Sequence, residues 1–165
     1  MNRTDLEMTI PMTPRGKPRH RTMKGGRTYP DPKGVKWEEE FAWHVRAMIG
    51  RAMLRFAPGS PLRLEVIAYF QRTKDEEMVY KKTGEPKHPT DALPNAKKPD
   101  FDNVAKIVGD ALNAIVWHDD QQIVDGTILT AKVPLGENPN VWFRVEEQTQ
   151  EQFAARICSI RGGVR

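Results

Sequence analysis

The amino-acid sequence predicts an α+β fold, a small mixed β-sheet packed against two main helices, with a further helix at the C-terminus. Three patterns lead there. Two long segments carry apolar residues at spacings of three and four, Leu62 to Phe70 alternates between apolar and polar positions, and no part of the chain repeats another. At 165 residues the chain suffices for one domain, residues 1–165, with a real hydrophobic core, and is too short for two ordinary ones.

Met8 to Met12 reads as a short strand, limited by Pro11 and Pro14. The stretch that follows holds Arg15, Lys17, Arg19, Arg21, Lys24, Arg27, Lys33 and Lys36 against Asp31 alone. With Gly25-Gly26 and several prolines it reads as a loop or ribbon that follows a phosphate backbone, or equally as a solvated arm. Trp37, Phe41, Val45, Met48, Ile49 and Ala52 mark one face of a helix running from about Lys33 to Phe56, broken at Pro58-Gly59. Leu62, Leu64, Val66, Ala68 and Phe70 form one face of a strand, with Arg63, Glu65, Ile67 and Tyr69 on the other.

Residues 71–99 are a long polar connection interrupted at Gly84, Pro86, Pro89 and Pro94. Such a loop is either a substrate-gripping element or a disordered insertion, the second being preferred. Asp102 begins the second helix, with Val104, Ile107, Val108, Ala111, Leu112 and Ile115 facing the core and Asn103, Lys106, Asp110 and Asn113 on the polar side. Ile123 to Val133 and Val141 to Val145 read as two strands of a hairpin joined through Pro134, Gly136 and Pro139. Thr149-Gln-Glu-Gln152 has the pattern of a capping box, opening a C-terminal helix with a narrow apolar stripe of Phe153, Ile157 and Ile160. The Gly162-Gly163-Val-Arg165 tail is expected to fray.

Hydrophobic residues at 38% and charged ones at 29% belong to a globular chain. No apolar run approaches the roughly 20 residues that span a bilayer, and no continuous apolar core of a signal peptide opens the chain, so the cytosol is the expected compartment. Cys158 is the one cysteine, and His20, His44, His88 and His118 are scattered, so a metal site would be built mainly from oxygen ligands. That favours hard ions such as Mg²⁺ or Mn²⁺. The net charge of +4 is too modest to imply nucleic acid by itself; its concentration between residues 15 and 36 says more.

The most informative stretch is Lys98-Pro-Asp100-Phe-Asp102-Asn103-Val-Ala-Lys106, followed after the helix by Asp119-Asp120. In an extended segment residues i and i+2 project to one side, so Asp100 and Asp102 can share a pocket. Taken singly, Asp102 is an ordinary helix N-cap. Lys106 is then a surface ion-pair partner worth about 0–1 kcal/mol, and Asp119-Asp120 is a turn. Taken together, converging carboxylates repel one another unless a cation sits among them. A divalent metal relieves that repulsion, lowers the pKa of a bound water and stabilises the attacking and leaving oxygens of an in-line displacement. Lys106 would contact the scissile phosphate or stabilise the charge that develops on it. Asp119-Asp120 can join the first pair only if the next strand starts beside the motif.

This run, with Asp110-Ala-Leu112-Asn113 and Asp119-Asp120-x-Gln122, resembles the signature of the RusA family of Holliday junction resolvases. Gly16-Lys-Pro-Arg19 through Arg27-Thr-Tyr29 is similar to the basic N-terminal segment of many members, and the likeness extends from about residue 8 to residue 146. The resemblance implies a RusA-like fold and a homodimeric, Mg²⁺-dependent endodeoxyribonuclease, with Mn²⁺ as a substitute. Its substrate would be branched DNA, a four-way junction resolved by paired nicks in opposite strands during recombination and repair. It assigns Asp100, Asp102 and Asp120 as metal-binding catalytic carboxylates and Lys106 as the catalytic lysine. Asn103, Asp110 and Lys132 match further positions of the pattern. DNA contacts fall to Arg15, Lys17, Arg19, Arg21, Lys24, Arg27, Lys97 and Lys98. The basic cluster that often precedes the first aspartate is reduced here to Lys97-Lys98, and the C-terminal helix is an addition that packs on the domain or on a partner subunit. The expected location is cytoplasmic, at the nucleoid, phage and prophage carriage being common for such proteins.

Two other readings stay open on sequence alone. One is a non-catalytic DNA-binding protein in which the aspartates are caps and turns. The other is an Asp-x-Asp that holds a metal–nucleotide-sugar complex, as in glycosyltransferases, against which the short chain and the lack of a nucleotide-binding α/β repeat both weigh.

Overall fold

The computed structural model describes residues 5–18, 21–22, 28–50 and 55–162, with backbone alone at 21, 22 and 28. In chain order its elements are β1 (Asp5–Ile10), β2 (Arg21–Thr22), β3 (Thr28–Tyr29), α1 (Pro32–Ile49), β4 (Leu62–Phe70), β5 (Leu93–Pro94), α2 (Phe101–Leu112), a single 3-10 turn (Asp120–Gln122), β6 (Ile123–Lys132), β7 (Asn140–Glu147) and α3 (Gln150–Ile160). β2 and β3 make a two-residue antiparallel ribbon, and the other five strands form one mixed sheet in the order β1-β7-β4-β6-β5. The expected α+β architecture is what the chain adopts.

β4 holds the centre because its inner residues Leu62, Leu64, Val66 and Ala68 are all buried. It pairs antiparallel with β7 and parallel with β6, so that Val66 lies between Phe143 and Ile128. The expected β6–β7 hairpin therefore does not form. The apolar stripe of α2 can close onto the sheet only if the chain returns beside β4 in the same direction, a crossover that parallel pairing requires. β7 then takes the opposite edge of β4.

The core lies between this sheet face and the two main helices, where Phe41 and Val45 of α1 and Ile107, Val108 and Leu112 of α2 meet Ile10, Val66 and Phe143. Asp31 caps α1, its carboxylate accepting the Gly34 N–H at 3.2 Å, and Pro32 follows at the first helical position. The helix ends at Gly50, which takes φ 60° and donates its N–H to the Arg46 carbonyl. It thus stops short of the expected Phe56. Phe56 is buried in the core from a non-helical position, and residues 51–54 lie outside the described ones. β1 begins at Asp5 and stops before Pro11, earlier at both ends than Met8 to Met12. The capping box of α3 forms as expected: Thr149 Oγ1 accepts the Gln152 N–H at 3.2 Å, and Gln152 Oε1 accepts the Thr149 N–H at 2.8 Å. No residue of α3 is buried, and Arg156 ties it to Asp125 on the outer face of β6 at 3.2 Å. Of the expected fraying tail, Gly162 is described, its N–H donating to the Ser159 carbonyl at 3.2 Å, and residues 163–165 lie outside the described ones.

The long connection 71–99 is organised around one side chain rather than standing as a structureless insertion. Arg72 is 4% exposed, and its guanidinium donates to five backbone carbonyls: Val133 at 2.7 Å, Glu76 at 3.3 Å, Pro89 at 2.8 Å, Thr90 at 3.1 Å, and Asp91. A guanidinium has five N–H donors, so every one is used. Lys132, also buried, donates to the Gln71 carbonyl at 3.2 Å and pairs with Glu76 at 3.4 Å. The Thr73 backbone N–H, the Thr73 hydroxyl and the Lys132 ammonium together lower the Glu76 pKa, outweighing the opposing effect of its burial. Replacing Arg72 by alanine leaves those carbonyls without donors and should lower the urea-unfolding free energy by about 3 kcal/mol. Limited proteolysis of that variant should show new cleavage between residues 73 and 91.

Candidate functional site

Extended backbone persists through Asp100, φ −66° and ψ 147°, and α2 starts at the next residue. Asp100 is the N-cap position, yet its carboxylate makes no capping hydrogen bond; only its carbonyl is used, by Asn103 and Val104. Asp102 sits in the first helical turn, so capping does not account for it, contrary to the simplest reading of the sequence.

Asp102, Ala105, Lys106, Gly109 and Asp110 recur at helical spacing and form one face of α2. That face meets β6 across a cavity of about 440 Å³, to which the β6 side contributes Asp120, Ile123, Gly126 and Ile128. Lys106 Nζ lies 3.3 Å from Asp102 Oδ2, both side chains at least half exposed at the mouth.

Asp120 reaches the cavity by a braced route. After α2, Ala114 takes φ 59° and Ile115, Val116 and Trp117 enter the core. Asp119 caps the 3-10 turn, accepting the Gln121 N–H at 2.9 Å. The buried Gln122 accepts from the N–H groups of His118 and Asp119 and donates to the carbonyls of Ala57 and Ser60. Those four bonds fix the turn that carries Asp120 opposite α2.

Asp102, Lys106 and Asp120 therefore line one cavity. Asp100 lines an adjoining hollow of about 670 Å³, shared with Pro14 to Lys17, Lys98, Pro99 and Asn103. Among the described residues no three Asp, Glu, His or Cys side chains are disposed as a metal-holding group. The donor chemistry itself fits a hard cation. Mg²⁺ is commonly held by one or two carboxylates, with water and substrate phosphate in its other positions, and Asp102 and Asp120 offer two carboxylates at an open mouth.

Residues 14–17, at the start of the N-terminal basic segment, are laid across the start of α2. The Lys17 N–H donates to the Asn103 carbonyl at 2.7 Å. A Cβ on Gly16 would stand 2.4 Å from Pro99 Cβ, so only glycine allows this approach. Lys17 Nζ reaches Glu38 at 2.6 Å and Asp110 at 2.7 Å, linking the segment to both α1 and α2. Partial burial works against its charge, but the hydrogen bonds to Asp110 and Glu38 prevail and raise its pKa. Lys17 thus serves the protein's own carboxylates, as Arg15 serves Asp31 at 3.5 Å. Lys97 and Lys98 are exposed. Arg19, Lys24 and Arg27 lie outside the described residues, and Arg21 is described only as backbone in β2.

Two residues that the family signature contains, Asp110 and Gln122, had no role that local spacing could supply. Asp110 reads as one more polar helix position, and only Lys17, remote in sequence, shows that it forms part of the rim. Gln122 stands in the signature without a role, since the bracing done by a buried side-chain amide is visible only once its four partners are in place.

The family model described as Endodeoxyribonuclease RusA matches residues 11–146. The match covers most of the chain, which therefore belongs to that family; it ends inside β7 and leaves α3 beyond it. No curated protein matches the chain.

The Lys17 pairing has a pH signature. A raised lysine pKa stabilises the fold at neutral pH, and this contribution is lost as pH rises beyond 10.5 through the raised value. Lys17→Met should lower stability at neutral pH by about 1 kcal/mol and flatten the alkaline decline. Urea unfolding of both proteins across that range provides the measurement.

Proposed function

We propose that this member of the RusA family, an endodeoxyribonuclease, resolves four-way DNA junctions as a homodimer with Mg²⁺ or Mn²⁺ at Asp102 and Asp120. The observation that carries the reading is that Asp120, from the turn before β6, lines the same open cavity as Asp102 and Lys106 of α2. A divalent cation held there would supply a water of lowered pKa and stabilise charge on the attacking and leaving oxygens.

The chain's own residues then have separable tasks. Asp102 holds Lys106 Nζ at 3.3 Å, keeping the ammonium over the mouth, where it can donate a charge-assisted hydrogen bond to a phosphate oxygen. Asp100, with no capping bond to keep it, supplies a third carboxylate from the adjoining hollow. Lys98 lines that hollow and Lys97, exposed, precedes it; both would hold the phosphates flanking the cut. The described part of the basic segment is fastened across the start of α2 by Lys17.

A junction presents two equivalent strands, which a C₂ dimer with two equivalent sites matches. The outer face of the sheet is the surface for that pairing. Ile67 stands in register with Leu129 on β6 and Trp142 on β7, an apolar row to which Tyr69 is adjacent. Leu129 is exposed, as are Ile157 and Ile160 of α3 near the same face. The site of action would be the cytoplasm, where recombining DNA is accessible.

The test is cleavage of a labelled four-way junction against linear duplex, with Mg²⁺ or EDTA. Wild type should make symmetric, metal-dependent nicks in the junction. Asp102→Asn and Asp120→Asn should abolish nicking and leave junction binding intact or stronger, because each removes negative charge near phosphates. Lys106→Ala should slow cutting by about 100-fold or more while weakening binding little. Tight junction binding with no nick under any metal would refute the catalytic reading and leave a DNA-binding module.

A further inference from the structure

We propose that the groove between α2 and β6 is a nucleobase pocket, taking one base unstacked from the strand being cut, next to the scissile phosphate. This rests on the nuclease reading, since Asp102, Lys106 and Asp120 lie on the rim of that groove.

The rim is charged but the floor is not. Leu64, Trp117, Ile123 and Ile128 line it, an uncharged surface whose one side-chain polar group is the buried Trp117 indole N–H, and which suits the face of a base better than a phosphate. Phe101, between the two aspartates of the motif, also lines the groove and leaves 66% of its surface in water. A ring so exposed adds little to the core, and it occupies the place where a stacking platform beside the cut belongs. Asp102 and Asp110 are paired with Lys106 and Lys17 at the rim, so the apolar floor is left for a neutral planar group as the fitting occupant. At a branch point stacking is already interrupted, so withdrawing a base there costs least.

Two glycines set the width of the groove. Gly109 lies within α2 and Gly126 within β6, where glycine weakens helix and strand alike. A Cβ built on either meets no atom within 4 Å, and neither has positive φ, so local packing and backbone geometry do not require glycine at these points. Both line the cavity, one on each wall. What they provide is room, at positions where any side chain would narrow it.

The same glycines give a test that misfolding cannot imitate. Gly126→Val and Gly109→Ala each place a better strand or helix former in open space, so their melting temperatures should match or exceed that of wild type. A four-way junction with 2-aminopurine on either side of the cut, bound by wild type in EDTA, should brighten as the base leaves its stack. With Gly126→Val it should stay dim, and metal-dependent cutting should fall at least about tenfold, the order of one lost base-stacking contact. Phe101→Ala should behave likewise and Phe101→Tyr should restore both signals. Unchanged fluorescence with wild type, or full cutting by Gly126→Val, overturns the pocket and leaves the nuclease reading standing. Should wild type make no nick, the nuclease reading fails, and the fluorescence alone then decides for or against the pocket.

Discussion

The parallel pairing of β4 with β6 is the constraint on which the site depends. Two parallel strands cannot be joined by a tight turn, so the chain between them has to cross over, and α2 is that crossover. The helix whose first turn carries Asp102 is thereby laid against the strand that opens just after the Asp120–Gln122 turn. Register matters as much as direction. With Leu64 opposite Gly126 and Val66 opposite Ile128, the inner face of β6 presents glycine and isoleucine to α2. A slip of one residue would turn Asp125 and Thr127 inward. On the outer face Asp125 instead meets Arg63 at 3.5 Å and Arg156 at 3.2 Å. Charge on that side and burial on the other select the same register.

The path from β4 to α2 is long, and Arg72 makes it definite. A buried guanidinium bonded to five carbonyls organises residues 76–91 against the end of β6. From there the chain joins β6 again: the Asn95 N–H donates to the Thr130 carbonyl at 3.0 Å, and Thr130 Oγ1 donates to the Asn95 carbonyl at 3.2 Å. Asn95 is buried and only five residues before Asp100, so the motif is delivered by a fixed strut. The cations follow the same economy. Arg15 and Lys17 are bound to Asp31, Glu38 and Asp110, and they hold the basic segment in place.

What was legible in the sequence was periodicity and motif. The burial of Val104, Ile107, Val108, Ala111 and Leu112, the two faces of β4 and the Thr149 capping box all follow from local spacing, and the structure has them. The family followed from the acidic run and from Asp119-Asp120, and the match over residues 11–146 agrees. Strand partners were not legible. Ile123 to Lys132 and Asn140 to Glu147 are separated by a turn-rich segment that suits a hairpin, and nothing local says that β4 will come between them. The end of α1 was misread because Ala52 and Phe56 continue an apolar rhythm that Gly50, at φ 60°, interrupts. The role of Arg72 was invisible because its partners are backbone carbonyls, which every sequence possesses. The division of the aspartates between two hollows was hidden for a related reason: it depends on whether the helix starts at Phe101 or Asp102, a single residue that periodicity does not resolve.

Local rules are broken in one place more than elsewhere. Asp100 stands at a helix N-cap and does not cap, although an aspartate there would ordinarily contribute about 1 kcal/mol. Phe101 is an aromatic ring left in water, Gly109 sits within a helix with space for a side chain, and Gly126 does the same within a strand. Each choice costs stability, and no contact within the described residues recovers it. Exposed apolar side chains occur elsewhere too, Trp43 and Ile160 among them, but β4 is buried as it alternates, α1 is capped by Asp31, and α3 is capped by Thr149. A sequence that departs from its local rules at the start of α2 and along the groove beside it is one whose surface there answers to a second requirement. The departures also name that requirement: an unengaged carboxylate, an exposed ring and two open walls are what an incoming metal ion, a base and a DNA strand would each need to find vacant.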